Sequence, residues 1–273
     1  MPVRRFAEER PLLFCVLTTV VLFGVTFLCR LVLPAVPSGD LAKLPQKTFQ
    51  PPEGLGLIFS DMRSPETLFW VLAIGLGLGL LVRTGWWEDA GFTRISRWRN
   101  MRLLGFPLLV CALTLSGGVF ASDPAALVST FLVVLVATLG EEIIFRGLLW
   151  RALIQNGLLV AVALTSLLAG LLVLGRTATD GPWPEAVRLA ALTLCGGFTY
   201  GALRWRTASI WPAILVHTIF AFVVSISTLG TFRFRFVMIL STVGFVAYGL
   251  YLLRNPRVRA NGGLKKSHPS RVR

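Results

Sequence analysis

The stretch that most constrains this chain is an apolar run that ends in charge. Residues Ala125–Leu139 are almost wholly apolar, and Glu141, Glu142 and Arg146 follow within the next seven positions. A charged side chain near the centre of a membrane helix costs about 2.5–3.5 kcal/mol on insertion scales. Three ionisable groups within six residues therefore point at a protein interior or at water rather than at lipid.

The rest of the chain supports a membrane setting. Its 273 residues are 55% hydrophobic with a mean hydropathy of +0.72, the composition of a polytopic membrane protein. The formal charge of +14 would suit a nucleic-acid binder. Here, however, the basic residues fall between and beyond the apolar runs, which is the pattern of membrane topology signals, so no nucleic-acid partner is expected. Cys15, Cys29, Cys111 and Cys195 all lie inside apolar stretches. Their spacing forms no metal or redox pattern, and they read as small inert core residues. Only two histidines exist, His217 and His268. An H-E-x-x-H zinc site cannot be written. A G-x-S-x-G nucleophile elbow, a Walker loop, a dinucleotide fingerprint and internal repeats are also absent from the sequence.

Eight spans can be laid along the chain: Leu12–Leu33, Glu66–Val82, Met101–Val119, Ala125–Trp150, about 157–174, about 184–203, Ile210–Thr228 and about 236–253. The expected fold class is all-α, a polytopic membrane helix bundle with a polar intramembrane cavity. Arg4, Arg5 and Arg10 before the first run imitate a signal peptide, but the run is too long for one and reads as a signal anchor. Residues 34–65, rich in proline, read as a loop. Gly75, Gly77 and Gly79 in the second span would let helices approach closely. Trp86, Trp87, Phe92 and Trp98 interleave with Arg94, Arg97 and Arg99, as in a segment at the headgroup level, although a plain basic loop fits as well. Asp123-Pro124 is a helix start, and Ser209 is a cap for the seventh span.

Eight spans place both termini on one side. That side collects 19 of the 27 Lys and Arg residues, so both termini are expected to be cytoplasmic. Arg233 and Arg235 run against this count. The organisation reads as N-terminal spans and an extracytoplasmic loop (1–87), a core (88–228), a last span (229–253) and a basic disordered cytoplasmic tail (254–273).

On an α-helix Glu142 and Arg146 share a face as an i,i+4 pair, while Glu141 points about 100° away. One carboxylate can thus be neutralised by Arg146 and the other left free. A carboxylate without a counter-charge in an apolar site suits general acid–base work. A buried ion pair that only holds helices together fits the same residues. His217, two turns into the seventh span, needs a partner at that depth. A backbone carbonyl or hydroxyl would satisfy it; so would Glu141 across the bundle, the two then polarising one water.

The motifs resemble the CPBP family, the CAAX-processing and bacteriocin-processing intramembrane glutamic proteases. Glu141-Glu142-x-x-x-Arg146, between Gly140 and Gly147, is similar to the family's first motif. Gly197-Phe198-x-x-Gly201 and Arg206-Thr207-x-Ser209-Ile210-Trp211-Pro212-Ala213-Ile214-x-x-His217 resemble its last motif region, and Ala90-Gly91-Phe92 with Arg97-Trp98-Arg99 its prelude. The resemblance covers roughly residues 88–222. It implies an eight-helix bundle whose cavity opens to the cytoplasm, and a metal-independent endopeptidase with no cofactor. Carried over, Glu141 is the general base, Glu142 and Arg146 the supporting ion pair, and His217 the holder of the water or the oxyanion. Two positions depart from the pattern: Val173 stands where the second motif has His, and Ala221 where the last motif has Asn. Losing an oxyanion donor typically costs ~10²–10³ in rate.

Two functions follow. One is a glutamic endopeptidase of the bacterial inner or plasma membrane, acting on a peptide or lipidated protein with a reduced site. The other is a catalytically inactive scaffold or substrate-binding subunit, with a membrane-protein partner. A transporter would also use buried carboxylates, but the sequence has no paired half-helices or inverted repeat.

Overall fold

A computed structural model describes residues 2–32, 64–93, 98–119, 123–179, 181–228 and 231–254. The expectations for the proline-rich loop (but for its last two residues), for Arg94 and Arg97, and for the tail beyond Arg254 lie outside the described residues. Helices dominate. The only pairing of extended backbone among the described residues is an isolated bridge between Val119 and Ser227. This follows from the solvent: in hydrocarbon every backbone N–H and C=O needs an internal partner, which a helix supplies within one segment.

In chain order the helices are α1 (Pro2–Glu9), α2 (Pro11–Val32), α3 (Pro65–Thr84), α4 (Gly105–Leu115) and α5 (Pro124–Glu142), followed by α6 (Trp150–Leu153), α7 (Leu158–Thr177), α8 (Trp183–Thr207), α9 (Trp211–Ile226) and α10 (Thr231–Arg254). A π-helical segment, Ile143–Leu149, joins α5 to α6 without a break. Among the described residues, six helical stretches are long and apolar enough to cross a membrane. Asn100–Leu115 and Trp211–Ile226 are shorter apolar helices that fall where the sequence reading placed its third and seventh spans. The protein is thus an integral membrane helix bundle.

Local chemistry sets the boundaries. Asp123 caps α5, its carboxylate accepting from the Ala125 N–H at 3.0 Å, with Pro124 in the first turn. Ser64 caps α3 in the same way, accepting from the Thr67 N–H at 3.1 Å. Ser209 differs from its expected role. Its hydroxyl donates to the Thr93 carbonyl at 3.1 Å, and α9 starts after Ile210 without a side-chain cap. The glycines of α3 also divide. A methyl group on Gly77 would lie 2.9 Å from Ile143, whereas Gly75 and Gly79 have nothing within 4 Å. Only Gly77 admits the π-helical segment.

α8 is central, packed along both α7 and α10, while α9 lies against α5 and α4, and α3 against α5 and α2. Trp86 belongs to this interior and not to an interfacial belt. It is fully buried, with Phe14 against its ring edge and the Arg151 guanidinium 5.1 Å from the ring centroid. Trp87 does stay exposed, stacked on Phe92 at 4.4 Å.

Candidate active site

The π-helical segment carries the charged motif. All seven of its residues are buried. In an α-helix residues five apart diverge by about 140°, but i→i+5 bonding brings them into line. Arg146 is four residues after Glu142 and five after Glu141, so the widened turn lets it address both. Its Nε lies 3.7 Å from Glu142 Oε2 and its Nη1 3.6 Å from Glu141 Oε1. The expectation that Glu141 would be left free is corrected here: one guanidinium stands between two carboxylates.

Gly197 on α8 makes room for that guanidinium. A methyl group there would lie 2.5 Å from Arg146 Nη2 and 2.4 Å from Ser166 Oγ. Gly140 does the same for α3, since a methyl group on it would meet Trp70 at 2.6 Å. The motif glycines thus let neighbouring helices close around the charges.

His217 enters from α9. The segment before α9 is held by the stretch that resembles the family's prelude. The Ile210 N–H donates to the Gly91 carbonyl at 3.0 Å, the Thr93 hydroxyl to the Ala208 carbonyl at 3.2 Å, and the Asn100 amide to the Arg206 carbonyl at 2.8 Å. Phe92 meets Trp211 edge to face. Arg204 adds bonds to the carbonyls of Asp89 and Ala90. Two segments more than a hundred residues apart thereby fix where α9 begins, and with it the position of His217.

The partner of His217 is Glu142, not Glu141. Its Nδ1 lies 2.9 Å from Glu142 Oε1, and its ring stacks on Tyr200 at 4.5 Å between centroids. Glu142, fully buried, therefore serves the imidazole with one oxygen and faces Arg146 with the other. Glu141 remains close: one ligand atom each from Glu141, Glu142 and His217 lie within 4.8 Å of one another. Three such groups could in principle hold a cation. Arg146 already places a fixed positive charge beside both carboxylates, which opposes a metal ion there.

Two further groups escaped the sequence reading. Tyr200, almost fully buried, backs His217, and its only signal was its place inside the Gly197–Gly201 motif. Thr138 and Thr218 share a hydrogen bond of 2.7 Å between α5 and α9. They sit three residues before Glu141 and one after His217, a spacing that could have flagged them. Val173 and Ala221 are half-buried, and each carries only an aliphatic side chain. Ser166 and Thr165 turn their hydroxyls back to the carbonyls of Val162 and Ala161. Among the buried polar atoms of the described residues that make no hydrogen bond are Glu141 Oε1, Glu142 Oε2, and Nε, Nη1 and Nη2 of Arg146. Buried polar groups are almost always paired, and four of these atoms face one another in the ion pairs of 3.6 and 3.7 Å, longer than hydrogen bonds.

Fold and site together define an integral membrane helix bundle whose polar centre is a Glu-Glu-Arg cluster closed by a histidine from another helix. Residues 123–223 match the family model described as type II CAAX prenyl endopeptidase Rce1-like. Over that segment the match bears out the CPBP family read from the motifs, a family of membrane endopeptidases. No curated protein and no solved structure matches the chain.

Proposed function

We propose that the protein is a metal-independent glutamic endopeptidase that cleaves a peptide or lipidated-protein substrate within the membrane. The observation that supports this reading is the 4.8 Å limit on the separation of the Glu141, Glu142 and His217 ligand atoms. Two groups that each bond a water at about 2.7–3.0 Å can share it across roughly 5 Å. Glu141 takes the proton of the attacking water. His217, oriented by Glu142 through Nδ1 and by Tyr200 through its ring, holds that water and then the oxyanion. Arg146, 3.6 Å from Glu141 and 3.7 Å from Glu142, adds a fixed positive charge near the developing negative charge. Both termini lie in the cytoplasm of a bacterial inner or plasma membrane, with the substrate entering near that face.

The second reading is a non-catalytic scaffold or substrate-binding subunit. Val173 and Ala221 favour it, because they bring no second imidazole and no amide to the site.

The deciding experiment is cleavage by the purified protein, with and without Glu141→Gln, on a library of membrane-anchored and C-terminally lipidated peptides in the presence of a chelator. Cleavage by the unaltered chain alone supports the endopeptidase. Absence of cleavage by both, with equal thermal stability, supports the scaffold.

A further inference from the structure

A cavity of about 450 Å³ lies away from the glutamates, between α1, α2 and α3. Its size falls within the ~300–1,000 Å³ usual for small-molecule sites. Its walls are almost entirely apolar: Val3 and Phe6 from α1, Leu17 and Val21 from α2, Leu76 and Leu80 from α3. Leu17 and Val21 are about half exposed, so the cavity is open on its flank to the bilayer.

Both helical walls end in a cation. On α3, Leu76, Leu80 and Arg83 are spaced i, i+4, i+7 and share one face. On α2, Leu17 and Val21 are spaced i, i+4 and share one face, and Arg10 stands just before the first residue of the helix, Pro11. Arg10 and Arg83 are exposed, and their side chains make no ion pair or hydrogen bond among the described residues. Arg4 lies at the same end, its Nη1 3.9 Å from where a methyl group on Gly85 would sit. The acidic groups of α1 are already engaged: Glu8 pairs with Arg4 at 3.0 Å and Glu9 with Arg5 at 2.7 Å. From Arg10 to Val21 the groove runs eleven residues, about 16 Å at 1.5 Å per residue. That is about half the ~30 Å hydrocarbon core, or one leaflet.

We infer that this groove is a binding site for one anionic glycerophospholipid, with an acyl chain along Leu17, Val21, Leu76 and Leu80 and the phosphate between Arg10 and Arg83. The apolar walls match a hydrocarbon chain one leaflet deep, and the arginine pair supplies the charge complementary to its headgroup. A basic residue near an anionic membrane surface contributes about 1 kcal/mol, so two predict a preference of about thirty-fold over a zwitterionic lipid.

The test is native mass spectrometry of the full chain, delipidated in detergent and titrated with phosphatidylglycerol or phosphatidylcholine carrying the same acyl chains. The expected result is one tightly held phosphatidylglycerol and about thirty-fold weaker phosphatidylcholine. Arg10→Gln with Arg83→Gln should bring the two lipids to near parity. Leu80→Trp should lower retention of both, and Leu76→Phe serves the same purpose should Leu80→Trp fail to give a monodisperse protein. Equal retention of the two lipids by the unaltered chain would overturn the inference. So would retention unchanged by groove filling, or displacement of the phospholipid by a prenylated peptide, which would assign the groove to substrate.

Discussion

Replacing Arg146 by methionine tests whether one guanidinium balances the two glutamates. Methionine keeps the unbranched stem and most of the volume while removing the charge. At 3.6 and 3.7 Å, each contact is worth about 4–5 kcal/mol of Coulomb attraction at an effective dielectric of 20. Desolvation of the three groups offsets most of that, and the net value of the cluster in the intact protein is small. The cost of breaking it is not, because two carboxylates at 6% and 0% exposure lose their cation together. Removing one partner of a buried pair typically costs about 3–5 kcal/mol. Arg146→Met should therefore lower stability by about that amount in reversible unfolding in mixed micelles. Adding Glu141→Gln and Glu142→Gln should restore most of the loss, because the charges that needed the guanidinium are then gone. A single Arg146→Met variant within about 1 kcal/mol of the parent would refute the reasoning, since the carboxylates would then be balanced by something else. So would a triple variant no more stable than the single one.

Gly197→Ala should destabilise by about 1–3 kcal/mol through overpacking against Ser166 and Arg146, while Gly79→Ala, with open space around it, should be neutral or better; thermal midpoints of the pair separate the two. Arg176 is buried with its guanidinium 4.2 and 4.8 Å from the ring centroids of Phe69 and Trp70. Arg176→Lys should cost about 1–2 kcal/mol because an ammonium lacks the planar stack, whereas Glu66→Gln, on its exposed partner, should cost no more than about 1 kcal/mol; unfolding titrations of the two variants check both. Tyr200→Leu should leave the fold intact but broaden the His217 side-chain NMR signal, because the ring that holds the imidazole face is lost; an unchanged signal would show that Glu142 alone orients it.

Much of this protein was legible without coordinates, for physical reasons that can be named. Hydrocarbon forces backbone groups to pair within their own segment, so the length of each apolar run dictated a helix. Asp123 and Pro124 marked the start of α5 because capping is a contact over two or three residues. The contact between Glu142 and Arg146 was equally local. The motif around them carried the family, and residues 123–223 match it. Tertiary structure decided what depends on how one helix is turned against another. Sequence spacing says that His217 and the glutamates lie at depth, but which carboxylate the imidazole meets depends on the rotation of α9. That rotation is set by Gly91, Thr93 and Asn100 gripping the turn before it, and by Tyr200 behind the ring. The result is Glu142. Likewise, three glycines in α3 look alike in sequence, and only packing shows that Gly77 alone carries the close approach. The π-helical widening that brings Arg146 within reach of Glu141 as well as Glu142 exists only where helices press on that turn from several sides. A periodicity of 3.6 residues could not foresee it.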